Sequence, residues 1–338
     1  MYLKDLCELD GTSGDEGAVR AFILDKITPY ADDIKIDSIG NIIAFKKGKN
    51  STKTAMIDAH MDEVGFIISE ITEKGFLKFK AVGGIDTKVI ISKRVRIGKN
   101  KIPGVIGMKA IHLQTKDERD SVPKKSSLYI DIGAKDKEEA ERVVSLGDYA
   151  SFDTDYAEIG IGKVKAKAID DRAGCAILID LIKETPCYDT YFTFTAQEEV
   201  GLRGAKIATA RIKPDIALSV ESTTCSDVAG TNEQDYVTAL GHGVAVSYAD
   251  RRTIVPEDFC DWVVKKAKEN NIAVQYKACI SGGNNAGAIH TAAGGVKTAS
   301  ISVPTRYIHS PACIADLGDI EATKELARLF LQYTNEII

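Results

Sequence analysis

Two adjacent acidic residues, Glu198 and Glu199, constrain the fold of this chain most strongly, because they directly follow an apolar strand. Residues 191–195 read Tyr-Phe-Thr-Phe-Thr, an aromatic and β-branched run that is typical of a buried strand. Residues 202–210 are small and apolar enough to form a helix. The pair therefore lies at a strand-to-helix junction, which is where α/β sheets build their sites.

The two glutamates are expected to point in different directions, because side chains alternate along a strand. One of them could bind a metal while its neighbour handles a proton. The alternative is an ordinary solvated loop, since acidic side chains are mostly exposed.

The composition is that of an ordinary globular protein, with 44% hydrophobic and 28% charged residues. A length of 338 residues allows a large core and usually divides into two domains. The net charge of −5 and the lack of a basic block argue against nucleic acid or a membrane surface as partner. We find no signal peptide or membrane span and expect a cytoplasmic protein. The seven scattered cysteines contain no CxxC pair, which predicts reduced thiols without disulfides.

Polar residues also follow the other apolar strands. Each of the following lies at or just beyond a strand end: His60, Asp170, Glu199, Glu221 and His309. If the strands form one mostly parallel sheet, their polar ends converge on one edge. Imidazoles and carboxylates without thiolates suit Zn²⁺, Co²⁺ or Mn²⁺, and this set suits two ions that share a carboxylate. Each motif alone is ambiguous, but their common placement favours a metal site.

Local patterns suggest further roles. Asp62 lies two residues from His60 on an extended segment, so the two side chains face the same side and the carboxylate can tune a metal-bound imidazole. Ser13 and Glu16 have the spacing of a capping box before an amphipathic helix. Asp171 can cap the helix that follows it.

The pattern of apolar and polar residues changes between about residues 64 and 161. Short alternating segments are separated there by glycine, asparagine, proline and charged residues. This pattern predicts a small all-β module, either a partly closed barrel or a sandwich. Because predicted helices and strands alternate on both sides of it, we interpret the module as an insertion with a structural or assembly role.

Four motifs occur together, and through them the chain resembles a known family. They are residues 58–66 (DAHMDEVGF), 169–172 (IDDR), 198–205 (EEVGLRGA) and 306–311 (RYIHSP). Over essentially its whole length the chain resembles the dinuclear-metal aminopeptidases typified by the tetrahedral, glutamyl and deblocking aminopeptidases. Members of that family are often labelled cellulase M or endoglucanase.

The resemblance implies an α/β fold, a zinc-peptidase-like α/β/α sandwich with a mostly parallel central sheet. Residues 1–63 and 162–338 would form the metallopeptidase domain. Residues 64–161 would form an inserted β-barrel-like domain used for oligomerisation, giving assemblies from a dimer to a dodecamer. The implied activity is removal of N-terminal residues from peptides, with two divalent metal ions, Zn²⁺ or Co²⁺.

The same resemblance implies a role for each site residue. Glu198 would be the general base, and Asp62 would orient His60. Asp170 would bridge the two metals, and the remaining ligands would be His60 and Glu221 for one ion and Glu199 and His309 for the other.

Two positions depart from the family pattern. Glu221 stands where aspartate is common, and it still supplies oxygen ligands. The family's Gly-Gly-Thr-Asp-Ala turn reads Gly-Gly-Asn-Asn-Ala at residues 282–286, so a carboxylate is missing at Asn285. We expect Asn285→Asp to raise catalytic efficiency or to change the preferred N-terminal residue. The alternative is that glycine and asparagine occur here only because they tolerate the left-handed backbone geometry of a turn.

Two other functions stay open from the residues alone. A glycoside hydrolase would need two carboxyl groups about 5–5.5 Å or about 6.5–9.5 Å apart across one sugar bond. Glu198 and Glu199 should diverge instead, and the single tryptophan, Trp262, falls in a helix of apolar period where core packing is expected. A degenerate, non-catalytic assembly protein would need to have lost ligands.

Overall fold

In a computed structural model, which describes residues 1–338, the apolar runs form the strands of one large sheet and one barrel. The strands in chain order are β1 Asp33–Ile36, β2 Ile42–Lys46, β3 Asn50–His60, β4 Gly65–Ile71, β5 Leu77–Val82, β6 Arg94–Ile97, β7 Ile102–Gly107, β8 Tyr129–Asp131, β9 Tyr149–Phe152, β10 Ala157–Ile159, β11 Lys163–Ala166, β12 Tyr188–Thr195, β13 Ile216–Cys225, β14 Val244–Val246, β15 Val274–Tyr276, β16 Lys297–Arg306 and β17 Cys313–Asp316.

The large sheet has a parallel centre with antiparallel flanks. Its strand order is β1-β2-β12-β3-β13-β16-β17-β11-β10, and β14 pairs with both β15 and β16. The central strands β12, β3, β13 and β16 are parallel to one another, whereas β2 and β17 pair with them antiparallel. The carboxyl ends of the four central strands therefore lie at one edge of the sheet.

Helices cover both faces of this sheet. In chain order the helices are α1 Leu3–Glu8, α2 Gly17–Ile27, α3 Lys116–Asp120, α4 Lys137–Glu141, α5 Ile169–Leu181, α6 Arg203–Ile212, α7 Glu257–Glu269, α8 Ala286–Ile289 and α9 Leu317–Tyr333. Of these, α3 and α4 lie between β7 and β9 in the chain and do not pack on this sheet. On β3, Ala55, Ile57 and Ala59 pack into the main core of 50 buried residues with α5 and α9. Met56 points to the opposite face and packs against α6 and α8. This alternation gives three layers, α/β/α.

Strands β4 to β9 close into a separate antiparallel barrel in the order β4-β5-β8-β7-β6-β9. Its core of 17 buried residues is distinct from the main core. At its centre the ring of Phe66 contacts those of Phe79 and Phe152, with centroid distances of 4.9 and 5.3 Å. The predicted α/β fold with a parallel centre and an inserted barrel is confirmed.

Three smaller predictions also have an outcome in the structure. All seven cysteines are free thiols. Trp262 is 8% exposed and packs edge-on against Phe259, as expected for a core residue. None of the helices combines the length and the apolar character that a membrane crossing requires.

The barrel core generates the first testable prediction. Phe66→Ala removes a fully buried ring, so we expect the free energy needed to open the barrel to fall by about 3–5 kcal/mol. Hydrogen exchange of the barrel amides measures this free energy. Leu146→Ala is the control, because Leu146 is 66% exposed and its loss should change stability by less than about 0.5 kcal/mol. Unchanged amide protection in the Phe66 variant would contradict the description of the barrel core.

Candidate metal centre

The predicted site residues lie together at the carboxyl edge of the parallel strands. His60 is the last residue of β3, and His309 follows the end of β16. The glutamate pair occupies the connection between β12 and α6. The predicted strand end at Glu221 is wrong, because β13 continues past this residue to Cys225. Asp170 lies at the start of α5. Parallel pairing of the central strands therefore brings chemically active residues from distant parts of the chain to one place.

The carboxylate of Asp170 lies between two imidazoles. Its Oδ1 is 3.3 Å from Nε2 of His60, and its Oδ2 is 3.2 Å from Nε2 of His309. On one side Glu221 Oε2 lies 3.7 Å from Nε2 of His60, and on the other Glu199 Oε1 lies 3.3 Å from Nε2 of His309. Two possible metal-binding groups therefore share Asp170.

These separations suit metal ions better than direct ion pairs. A charge-assisted N–H···O hydrogen bond is usually about 2.7–2.9 Å long. Two ligand atoms that bind one tetrahedral ion at about 2.1 Å are separated by about 3.4 Å, which is close to the observed spacing. The donor set of imidazoles and carboxylates is also the one that Zn²⁺, Co²⁺ and Mn²⁺ accept. The residues present therefore fit divalent cations.

The electrostatics of the site also favour bound cations. Burial lowers the pKa of His309, but hydrogen bonds to Asp170 and Glu199 outweigh it and raise the pKa to about 11. Burial raises the pKa of Glu221 to about 8 and that of Glu198 well above its ordinary value. Without metals the cluster must bind protons to offset its crowded negative charge. Divalent cations can take the place of those protons.

Each imidazole is held by a backbone carbonyl on its other nitrogen. Nδ1 of His60 lies 3.1 Å from the backbone oxygen of Asp62, and Nδ1 of His309 lies 3.0 Å from that of Gly84. Such contacts fix the ring so that Nε2 faces the ligand position. Gly84 follows β5, so the inserted segment contributes directly to the site. Sequence reasoning missed this residue, although the Gly83-Gly84 pair after a strand was a possible signal.

The Asp62 carboxylate also holds the glutamate pair. Its oxygens accept hydrogen bonds from the backbone N–H groups of Glu198 and Glu199, at 2.9 and 3.1 Å, and from the Ser13 hydroxyl at 2.6 Å. The carboxylate lies 3.5 Å from Nδ1 of His60. Asp62 therefore fixes the main chain of both glutamates in addition to lying beside the imidazole.

The predicted capping box at the N-terminal helix is wrong. α2 has no side-chain cap, and Ser13 donates to Asp62 instead. The Glu16 carboxylate accepts hydrogen bonds from the backbone N–H groups of Gly14 and Gln197, at 2.8 and 3.2 Å. Tertiary contacts with the site have thus replaced the local cap. Asp171 lies inside α5, two residues after its start, but its backbone is not helical there. Its carboxylate accepts from the backbone N–H of Gly174 at 3.1 Å, which is the predicted capping contact for the helical turns that follow.

Strained backbone surrounds the cluster. Five non-glycine residues near the ligands have left-handed φ angles from 54° to 59°, namely Ala168, Gln197, Leu202, Tyr307 and His309. Such conformations persist only where the surrounding structure enforces them, and they are concentrated at functional sites.

A polar cavity of about 380 Å³ opens beside the cluster and is lined by Glu198 together with the candidate ligands. Its wall contains no Phe, Tyr or Trp, and its hydrophobic members are Leu202 and Ile308. Two cationic residues that sequence reasoning did not predict, Arg252 and Lys277, also line it. Asn285 is fully buried and does not line the cavity, so its side chain is not placed to contact a substrate there.

Comparisons with known proteins agree on one family. A family profile described as M42 glutamyl aminopeptidase matches residues 40–326. The chain is 32% identical to the glutamyl aminopeptidase of Lactococcus lactis, with 98% of this chain and 96% of the relative covered. A Pyrococcus horikoshii structure, described as a TET1 peptidase that can assemble into a tetrahedron or a large octahedral shell, shares 33% identity and a TM-score of 0.86, with 98% of both chains covered. A Thermotoga maritima structure described as an endoglucanase shares 39% identity and a TM-score of 0.83, with 99% of this chain and 97% of that one covered.

The shared ligand geometry generates the second prediction. His309→Ala removes one member of the Asp170–Glu199–His309 group, so we expect the bound metal to fall by about one ion per chain. Elemental analysis after dialysis in Zn²⁺ measures the stoichiometry. The melting temperature should also gain less from added Zn²⁺ in this variant, because binding to the folded state is weaker. His112→Ala, at an exposed histidine, is the control and should keep all of its metal. Equal metal content in the two variants would rule out His309 as a ligand.

Proposed function

The chain belongs to the M42 glutamyl aminopeptidase family of metallo-aminopeptidases, and from that premise we propose a two-metal mechanism for its removal of N-terminal residues from peptides. The proposed ligands are Asp170 between both ions, His60 and Glu221 for one ion, and Glu199 and His309 for the other. The observation that carries the proposal is the position of the Asp170 carboxylate between two imidazoles. We further propose that the ions are Zn²⁺ or Co²⁺.

Two such cations, when bound, would polarise a peptide carbonyl and lower the pKa of a water molecule. The residues of the chain supply the proton transfers. In this proposal Glu198 accepts a proton from the attacking water and then returns it to the amine that leaves when the C–N bond breaks. The products are a free amino acid and a peptide shortened by one residue.

Three observations support this role for Glu198. It lines the polar cavity next to the candidate ligands. Its hydrogen bonds are all made by its main chain, so its carboxylate is free to exchange a proton. Burial raises its pKa, which makes the carboxylate a stronger base.

The glucanase alternative finds little support in this cavity. Its wall lacks the aromatic platforms that sugar rings stack on, and Trp262 is buried in the core. Glu199 lies beside His309, where we propose that it binds a metal, so it is not free to act on a glycosidic bond. The non-catalytic alternative requires lost ligands, and all five candidates are present and clustered.

The third prediction tests the general base. Glu198→Gln should lower turnover of unblocked aminoacyl substrates by about 10²–10⁴-fold, because an amide cannot accept the proton, while the metal content stays unchanged. Initial rates on a panel of chromogenic aminoacyl substrates measure this loss.

Two controls accompany that measurement. Glu141→Gln changes an exposed glutamate on α4 and should leave the rates unaltered. Chelation should abolish activity in the parent, and Zn²⁺ or Co²⁺ should restore it. Near-normal peptidase rates in Glu198→Gln, or sugar release from cellulose that resists chelation, would contradict the mechanism.

We also propose that residues 1–63 and 162–338 form the catalytic domain and that the insertion at 64–161 mediates self-association in the cytoplasm. The barrel has a core of its own, and its segment 105–122 contains four exposed apolar side chains. They are Val105, Ile111, Leu113 and Val122. Exposed apolar side chains that together form a patch mark protein interfaces.

The fourth prediction tests this assembly. Light scattering of the metal-loaded protein at micromolar concentration should give a mass of two or more chains. The double variant Ile111→Asp and Leu113→Asp should give a smaller mass, since it places charges in the proposed interface. A parent protein that is monomeric under these conditions would exclude self-association through the barrel.

A further inference from the structure

Beneath the metal centre, the sheet carries a row of buried polar side chains across four parallel strands. Asp58 of β3 pairs in register with Thr193 of β12 and with Ser219 of β13, and Ser219 pairs with Ser300 of β16. Each of these four residues is at most 1% exposed. The row lies on the face of the sheet that α6 and α8 cover. Asp58 is two residues before His60 on β3, so their side chains are on the same face. Buried polar groups at such positions need hydrogen-bond partners.

The Asn-Asn turn at residues 284–285 supplies those partners. The Asn284 amide donates to the Ser300 hydroxyl at 2.7 Å. The Asn285 amide donates from Nδ2 to Asp58 Oδ2 at 2.8 Å and to the Thr195 hydroxyl at 2.9 Å. Because Thr193 donates to the other oxygen of Asp58 at 2.6 Å, both carboxylate oxygens are satisfied.

The same turn also orients a candidate metal ligand. The backbone N–H of Asn285 donates to Glu221 Oε1 at 3.1 Å, and the Ser219 hydroxyl donates to the same oxygen at 2.7 Å. The second oxygen, Oε2, is left facing His60. Asn285 therefore connects the buried Asp58 carboxylate to the orientation of Glu221.

We infer that Asp58 and Asn285 form a matched carboxylate–amide pair that positions Glu221 for metal binding. In this chain the carboxylate of the pair is on β3 and the amide is on the turn. This inference rests on the proposed ligand role of Glu221. The two residues act through Glu221, so they are positioning residues.

This arrangement requires a side-chain hydrogen-bond donor at position 285. Asn285 Nδ2 serves two acceptors, while its Oδ1 has no partner. An ionised aspartate there has no N–H to donate, and it would set two carboxylates face to face in a buried place. Asn285→Asp is therefore expected to weaken the site, which is opposite in sign to the expectation from the family pattern alone.

A charge-swap experiment tests the pair. Asn285→Asp should lower Zn²⁺ affinity by about 10-fold or more, the usual effect of losing a residue that orients a ligand, and should change the visible spectrum of the Co²⁺-loaded protein. The double variant Asp58→Asn and Asn285→Asp restores one amide opposite one carboxylate. Its affinity should return to within about threefold of the parent value, because paired substitutions of contacting residues are not additive. Competition with a chromogenic chelator measures each affinity.

Gln275→Glu is the control. The Gln275 amide donates to the backbone oxygens of Ala239 and Gly243, at 2.9 Å each, so the variant loses an amide donor that contacts no candidate ligand. It should lower the melting temperature of the metal-free protein and leave Zn²⁺ affinity unchanged. This separates positioning of Glu221 from a general loss of stability.

Parent-like Zn²⁺ affinity in Asn285→Asp, or a double variant no better than that single variant, would overturn the inference. If Asn285→Asp alone does not fold, the double variant provides the test, because it carries the same aspartate at position 285. Parent-like Zn²⁺ affinity in the double variant supports the pair, and weak Zn²⁺ affinity overturns it. Full metal content in Glu221→Ala would instead refute the proposed ligand set, so the two failures are distinguishable.

Discussion

The site depends on one buried carboxylate, that of Asp170, which faces two imidazoles from opposite ends of the chain. Three glutamates lie around this carboxylate, so four acidic groups share one buried site with two imidazoles. Negative charges this close together are unfavourable in a buried site unless cations neutralise them, and two imidazoles cannot neutralise all four. The parallel centre of the sheet makes the arrangement possible, because it brings the ends of β3 and β16 to one edge, next to the start of α5.

The groups that orient the ligands come from several separate parts of the chain. Gly84, next to the barrel, holds His309, and Ser13 near the N-terminus holds Asp62, which in turn holds the glutamate turn. The Asn285 turn holds Glu221. Ligands fixed in this way keep their geometry before a metal or substrate arrives, which is the preorganisation that catalytic sites require.

Sequence patterns predicted the parts of the site that depend on local periodicity. The ends of apolar strands located His60 and His309, and the apolar period around Trp262 predicted its burial. Contacts between distant segments could not be read in this way. Asp58 and Asn285 are 227 residues apart, and only the three-dimensional register brings them together. The spacing of Ser13 fits a helix cap, but its hydroxyl donates to the distant Asp62 instead.

In the proposed mechanism the Asp170 carboxylate would be shared by two metal ions. Anomalous X-ray diffraction from crystals of the Zn²⁺-loaded protein tests it most directly, because it locates each ion independently of activity. We expect two anomalous peaks on either side of Asp170, one next to His60 and Glu221 and the other next to His309 and Glu199. A single peak, or peaks that do not contact Asp170, would contradict it.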